Sequence, residues 1–209
     1  MELLFNGPKK SSLTIVLAHG AGAPMDTAFM TFFAEGLGNA GYRVARFEFP
    51  YMASRRTDGR KRPPDRQPVL LQSWQAVIEK LAPAPLVIGG KSMGGRMASL
   101  IAADPECPAH VRGLVCLGYP FYGAGRKDKP RTAHLATLSQ PTLICQGTRD
   151  PMGDRDSVTA LKLSHAIKVH WCEDGNHDLV PRKASGRTTE QNWQGALDAG
   201  IAFLARLAG

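Results

Sequence analysis

Short apolar runs alternate with amphipathic stretches along the chain, and this order predicts strands that are each followed by a helix. Strands are predicted at residues 13–18, 42–49, 85–88, 111–117, 142–146 and 167–171. Helices are predicted at residues 26–39, 69–81, 96–103, 134–138, 157–165 and 189–207. Because repeated strand–helix units form right-handed crossovers, the pattern predicts an α/β fold: a mostly parallel sheet with helices on both faces.

Two segments lack this periodicity and are predicted to be loops: the Pro- and Arg-rich residues 50–67, and residues 119–131. No internal repeat, low-complexity tract or linker interrupts the pattern, so residues 1–209 are predicted to form a single domain. In folds of this class the functional site lies at the carboxyl ends of the strands. The residues that follow the predicted strands are therefore the candidates for chemistry.

The composition is that of a globular protein with an unusual charge. The 209 residues are 43% hydrophobic and carry a formal net charge of +8, which excludes a disordered tail and a coiled coil. The four cysteines show no metal-ligand spacing, and we expect neither a metal nor another cofactor. No apolar run reaches the roughly 18 residues of a membrane span, and the N-terminus lacks a signal-peptide pattern. A cytoplasmic protein without membrane contact is predicted.

One motif lies between a buried strand and a predicted helix. Gly90-Lys91-Ser92-Met93-Gly94 matches G-x-S-x-G, the nucleophile elbow, in which a tight turn exposes the serine. Such a turn requires small residues two positions before and after the serine. The alternatives are a structural glycine-rich turn and a phosphate-binding loop, although only the G-K-S ending of a Walker motif is present.

A nucleophilic serine needs a base and a group that orients the base. In this arrangement the chain order is serine, then acid, then histidine. Asp150 follows the strand that ends at residue 146, and His177 follows the strand that ends at residue 171. Order and position at strand ends agree for Ser92, Asp150 and His177, which predicts a catalytic triad.

Other acids and histidines compete for these roles. Asp154 and Asp156 lie in the same loop as Asp150, and Asp156 is equally suited to capping the helix that follows it. His165 and His170 lie at a helix end and within a strand, positions that are usually structural. His110 and His134 precede Asp150 in the chain, which is the wrong order for the base.

An acyl-transfer site also needs donors for the developing oxyanion. The backbone N–H of Met93, directly after the serine, is one expected donor. The second is expected from the glycine-containing loop after the first predicted strand, with Ala21 as the first choice and Gly22 as the alternative. His19 in the same loop is expected to fix it by hydrogen bonds.

These residues resemble the α/β-hydrolase superfamily along nearly the whole chain, and most closely its small, capless members related to dienelactone hydrolase. More narrowly, Phe-Glu-Phe-Pro-Tyr-Met at residues 47–52, the Arg/Pro-rich loop and the elbow resemble a group that includes hydrolase-like subunits of chromatin complexes. The resemblance implies an α/β-hydrolase fold and a triad of Ser92, Asp150 and His177. Dienelactone hydrolases proper use a cysteine, so Ser92 argues against a dienelactone substrate. The short connection between residues 117 and 142 leaves no room for a lid domain.

The positive charge is concentrated in the two predicted loops. Residues 55–66 hold six basic and two acidic residues, and residues 126–131 hold four basic and one acidic residue. Both loops follow strands, so we expect a basic rim beside Ser92 that attracts an anionic group. The alternative is a solvated surface whose charge serves solubility. The residues predicted to bind substrate are Lys91, Arg56, Arg60 and Arg149.

Two functions follow from these observations. The first is a serine hydrolase that cleaves carboxylic ester or thioester bonds of a small, anionic substrate; amide hydrolysis or perhydrolysis would use the same residues. The second is a hydrolase-fold binding module that contacts an acidic protein or nucleic acid through the basic loops. Aromatic residues do not alternate with the basic ones, which disfavours nucleic acid. The sequence does not indicate the oligomeric state.

Overall fold

The computed structural model describes residues 2–123 and 125–208, and within them the backbone is organised around one large sheet. The strands are β1 (Leu3–Asn6), β2 (Thr14–Ala18), β3 (Arg43–Phe47), β4 (Leu86–Lys91), β5 (Val111–Leu117), β6 (Tyr122–Gly123), β7 (Arg126–Pro130), β8 (Thr142–Gly147) and β9 (Ile167–Cys172). Seven of them form the sheet in the order β1-β3-β2-β4-β5-β8-β9, while β6 and β7 pair separately as a hairpin. All neighbours in the large sheet are parallel except β1 and β3.

Helices cover both faces of this sheet. They are α1 (Ala28–Asn39), α2 (Pro50–Asp58), α3 (Gln67–Leu81), α4 (Met93–Ala102), α5 (Arg155–Thr159) and α6 (Thr189–Ala208), with 3-10 helices at Ala133–Ala136 and Lys183–Ser185. Strand β2 shows how the faces are divided. Its Ile15 and Leu17 belong to the core with α1 and α6, whereas Val16 packs in the core with α3 and α4. This alternation follows from the two-residue period of a strand.

The prediction of a mostly parallel α/β sheet with helices on both faces is confirmed, but three elements differ from the prediction. The segment at residues 50–67, predicted to be a loop, contains α2, which has Pro50 in its first turn and ends at Gly59 with φ 70°. Helix α2 buries only Tyr51 and Met52, so its sequence shows little apolar periodicity. The predicted loop at residues 119–131 contains the exposed β6–β7 hairpin.

Two further boundaries differ from the prediction, and β1 was not predicted. The helix predicted at 157–165 is the shorter α5, and the one predicted at 134–138 is a single 3-10 turn. Strand β1 is a half-exposed edge strand of four residues, too short to be detected by its pattern. None of the described helices combines the length and apolar character needed to cross a membrane.

Candidate active site

Ser92 lies in the sharp turn between β4 and α4. Its backbone has φ 51° and ψ −116°, a strained conformation for a residue with a side chain. Gly90 and Gly94 allow this turn because a Cβ atom at either position would overlap the carbonyl oxygen of Ala18 on β2. The glycines of the motif therefore let the turn pack directly against the neighbouring strand.

Three side chains from separate loops meet at this turn. The Ser92 Oγ lies 2.8 Å from His177 Nε2, and His177 Nδ1 lies 2.7 Å from Asp150 Oδ2. Because a carboxylate only accepts hydrogen bonds, Nδ1 carries the ring proton and Nε2 is free to accept the serine proton. The residues predicted from chain order are thus joined in one hydrogen-bonded series at the carboxyl ends of β4, β8 and β9.

Asp150 is fully buried and is held by two groups besides His177. Its Oδ1 accepts from the backbone N–H of Met152 at 2.8 Å, and its Oδ2 accepts from Gln146 Nε2 at 2.8 Å. The Gln146 carboxamide, at the end of β8, also bonds both backbone groups of Tyr119. Gln146 was not predicted, since its only signal in the sequence is a polar residue at the end of an apolar strand.

The loop that carries His177 is anchored by Lys91. Lys91 is 8% exposed, and its ammonium donates to the backbone oxygen of His177 at 2.7 Å and pairs with Asp178 at 3.1 Å. Burial lowers the pKa of Lys91, and the neighbouring Asp178 carboxylate opposes that shift. Lys91, which directly precedes Ser92, therefore links the turn that carries Ser92 to the loop that carries His177.

The loop after β2 is fixed by His19 and Tyr51. His19 Nε2 accepts from the backbone N–H of Phe49 at 3.1 Å, and its Nδ1 lies 2.6 Å from the backbone oxygen of Gly20. Burial lowers the pKa of His19, which favours the neutral ring that these bonds require. The Tyr51 hydroxyl donates to the backbone oxygen of Ala21 at 2.8 Å. The expected structural role of His19 agrees with these bonds, while sequence analysis missed Tyr51.

Ser92 and His177 open onto a cleft of about 610 Å³. Its polar and charged lining comprises Thr27, Lys91, Ser92, His177 and Asp178. The rest of the lining is glycine or apolar: Gly20, Ala21, Gly22, Ala23, Pro24, Ala28, Phe29, Met30, Met152, Val180 and Trp193. Ala21 and Gly22 thus share the cleft with Ser92. Met93 begins α4, so its backbone N–H has no acceptor within the helix.

Comparison with known proteins identifies the family. Residues 11–205 match a family model described as an alpha/beta hydrolase domain. The chain belongs to the α/β hydrolase family. The resemblance inferred from the motifs is therefore confirmed at the level of the superfamily.

Solved structures share the fold of this α/β hydrolase at low sequence identity. An α/β serine hydrolase homologue from Coxiella burnetii is 19% identical, with a TM-score of 0.71 over 94% of this chain and 90% of that one. A dienelactone hydrolase from Anabaena variabilis is 18% identical, with a TM-score of 0.71 over 98% and 90%. Est1E from Butyrivibrio proteoclasticus, solved with ferulic acid, is 15% identical, with a TM-score of 0.70 over 98% and 95%.

As predicted, this α/β hydrolase has no cap domain in its described residues. Between β5 and β8 these residues form only the β6–β7 hairpin and one 3-10 turn. The cleft beside Ser92 is accordingly bordered by the loop after β2, the first turn of α1, Trp193 on α6, Met152 and the His177 loop.

Two of the competing residues of the hydrolase, Asp154 and His134, have other partners. Asp154, rather than Asp156, caps α5 by accepting from the backbone N–H of Ser157 at 2.9 Å. Asp154 also pairs with Lys127, and together these contacts lower its pKa to about 2 against the opposing effect of burial. His134 lies 2.8 Å from Ser99 Oγ, and burial together with the charge of Arg96 lowers its pKa to about 4.

Three of the four residues predicted to bind substrate, Arg56, Arg60 and Arg149, lie outside the lining of the cleft. Arg56 pairs with Asp26 at 2.8 Å and Glu48 at 2.6 Å, and Arg149 pairs with Asp174 at 2.8 Å. Arg60 is exposed on the segment after α2. The sequence showed these charges but not the acids that neutralise them. Lys91 does line the cleft.

Proposed function

We propose that this α/β hydrolase is a serine esterase that cleaves carboxylic ester or thioester bonds of small substrates. The supporting observation is the hydrogen-bonded series from Ser92 through His177 to buried Asp150, open to a cleft. In the first step Ser92 Oγ attacks the substrate carbonyl carbon while its proton passes to His177 Nε2. Asp150 keeps the imidazole oriented and stabilises its positive charge.

The tetrahedral oxyanion then needs donors that are already in place. We assign this role to the backbone N–H groups of Met93 and Ala21, with Gly22 as the alternative to Ala21. When the tetrahedral species collapses, the bond to the leaving oxygen or sulfur breaks and His177 donates its proton to that atom. The acyl group remains on Ser92 Oγ.

Water completes the reaction by the same route in reverse. His177 Nε2 removes a proton from the water, whose oxygen attacks the acyl carbon. The second tetrahedral species expels Ser92 Oγ, which recovers its proton from His177. These steps balance without a further reactant, and the carboxylic acid leaves through the open cleft.

The substrate we propose is a small ester without a required negative charge. Lys91 and Asp178, the charged side chains among the described residues that line the cleft, are paired with each other. Arg56, Arg60 and Arg149, which were predicted to bind an anionic group, lie outside this lining. The structural neighbours support an ester, since one is a dienelactone hydrolase and another holds ferulic acid. This proposal replaces the anionic substrate expected from the net charge.

Labelling with a fluorophosphonate probe tests the proposal directly. The native chain should become labelled, and Ser92→Ala should lose the label because the probe reacts only with an activated serine. Ser99→Ala is a matched control, since Ser99 also lies 2.8 Å from a histidine, His134, but is fully buried. It should keep the label. A folded native chain that stays unlabelled, or a labelled Ser92→Ala variant, contradicts the proposal.

A further inference from the structure

One wall of the cleft is aromatic. Trp193 on α6 and Phe29 on α1 both line the cleft, with ring centroids 5.2 Å apart and planes at 82°. Phe32 and Phe33 support them from outside the lining: Phe32 lies 5.3 Å from Trp193, and Phe33 lies 4.9 Å from Phe29. The two rings of the wall are therefore packed against a second pair of aromatic rings.

The indole of Trp193 is also fixed by a hydrogen bond. Its Nε1 donates to the backbone oxygen of Asp178 at 2.9 Å, in the residue directly after His177. This bond satisfies the polar group of the indole, so the ring presents apolar surface to the cleft. The wall is thereby tied to the loop that carries His177, and a group that contacts it is placed relative to Ser92.

The electrostatics of the wall favour an uncharged occupant. The Lys91 ammonium lies 5.4 Å from the centre of the Phe29 ring but is already paired with Asp178 and bonded to the His177 carbonyl. A carboxylate placed here would compete with Asp178 for Lys91. A flat aryl ring can instead pack against the rings of Trp193 and Phe29. Aromatic rings attract each other in offset-stacked and edge-to-face arrangements at centroid distances of about 4.5–7 Å.

We infer that the cleft accepts esters that carry an uncharged aryl group, and that Trp193 and Phe29 determine this specificity. The inference rests on the proposed esterase function and adds the substrate class. Two arrangements are distinguished by experiment: an aryl group on the acyl side, as in methyl phenylacetate, and one on the alcohol side, as in benzyl acetate.

The test compares these two esters with methyl cyclohexylacetate, cyclohexylmethyl acetate and methyl acetate. At least one aryl ester should have a higher kcat/KM than its cyclohexyl counterpart. Trp193→Ala should lower kcat/KM for the preferred aryl ester by about tenfold, mainly through KM, because an aromatic contact and its buried area are lost. The loss for methyl acetate should be smaller than the loss for the aryl ester, because for methyl acetate the substitution removes only the bond from Trp193 Nε1 to the Asp178 backbone oxygen.

Trp171→Ala is the matched control, because Trp171 is also a partly buried tryptophan but lies on β9 outside the cleft lining. It should leave the ratio of aryl to cyclohexyl activity unchanged, and Trp193→Phe should retain most of that ratio. Equal activity toward aryl and cyclohexyl esters in the native chain, or an equal loss of both in Trp193→Ala, overturns the inference. Fluorophosphonate labelling of Ser92 separates the two failures: a labelled chain without aryl preference retains the proposed function, whereas an unlabelled chain loses both.

Discussion

Lys91 is the side chain that connects the nucleophile elbow with the histidine loop. Its ammonium is buried, and it donates to the backbone oxygen of His177 rather than to open solvent. A hydrogen bond from a charged donor contributes about 1.5–3 kcal/mol and is worth most where water is excluded. Lys91 is therefore placed to hold His177 at the 2.8 Å distance from Ser92.

Replacement of Lys91 should change kcat more than KM. Lys91→Met keeps the length of the side chain but leaves the His177 carbonyl without its donor, so kcat for methyl acetate should fall by about tenfold. KM should change little, since Lys91 is not expected to contact an uncharged substrate. Lys91→Arg, which retains a donor, should recover part of kcat, and Lys127→Met on the surface should have no effect. A rise in KM confined to anionic esters would instead show that Lys91 binds substrate.

The arrangement of Ser92, Asp150 and His177 could be predicted because each follows a strand in a fixed chain order. The residues that hold these three side chains in place could not be predicted. Gln146 reaches Asp150 and Tyr119 across a strand end, and Tyr51 reaches Ala21 from a helix 30 residues away in the chain. Such contacts depend on tertiary packing, and a single polar side chain in a sequence does not reveal its partner.

At the level of elements, the loop after β2 is clamped by β3 and α2. Arg46 on β3 donates to the backbone oxygen of Met25 at 2.8 Å, and Glu48 accepts from the backbone N–H of Met25 at 3.2 Å. Arg56 on α2 then bridges Glu48 and Asp26. The loop that lines the cleft through Ala21 and Gly22 is thus held at its far end by charged side chains.

The ion pairs of Arg56 with Asp26 and Glu48 predict an effect on all substrates alike. Arg56→Gln should lower kcat/KM by about threefold, equally for anionic and neutral esters, because a partly exposed ion pair contributes less than about 1 kcal/mol. Arg60→Gln is the control, since Arg60 is exposed on the same segment and should leave kcat/KM unchanged. A selective loss for anionic esters in Arg56→Gln would support the basic rim and contradict the clamp. The measurement is an ester panel at low and high ionic strength.

The elements that could be predicted are those that the sheet buries. Strands β2, β4 and β8 are buried at every position, so they appear as apolar runs. Helix α2 and strand β7 are mostly or entirely exposed, and their polar sequences follow no period. Helix α2 depends instead on Pro50 in its first turn and on Gly59 at its end, and β7 depends on its pairing with β6. Neither feature produces an apolar period in the sequence.

For the whole molecule, the net charge of +8 does not converge on the cleft. Several basic residues in the two positive segments have acidic neighbours: Arg56 with Glu48, Arg62 with Asp58, and Lys127 with Asp154. The pairs of Arg62 and Lys127 are exposed, so they are screened by salt and contribute little to stability. These basic residues lie outside the lining of the cleft, so the overall charge alone does not predict cationic side chains around Ser92.

Buried and half-buried histidines with lowered pKa values contribute to the response of the fold to acid. Burial lowers the pKa of His134 to about 4, with a further contribution from Arg96, and burial also lowers the pKa of His19 and His170. In the unfolded chain a histidine has a pKa of about 6.5. Between these values the unfolded state binds more protons, so the contribution of these histidines to stability is complete above about pH 6.5 and falls as the pH approaches 4.

Thermal unfolding of His134→Gln between pH 7.5 and 4.5 should therefore show a smaller decrease in Tm than the native chain. The remaining decrease is assigned to groups such as His19 and His170, and His165→Gln, which changes an exposed histidine, should follow the native curve. If His134→Gln loses stability as steeply as the native chain, protonation of His134 does not contribute to acid unfolding.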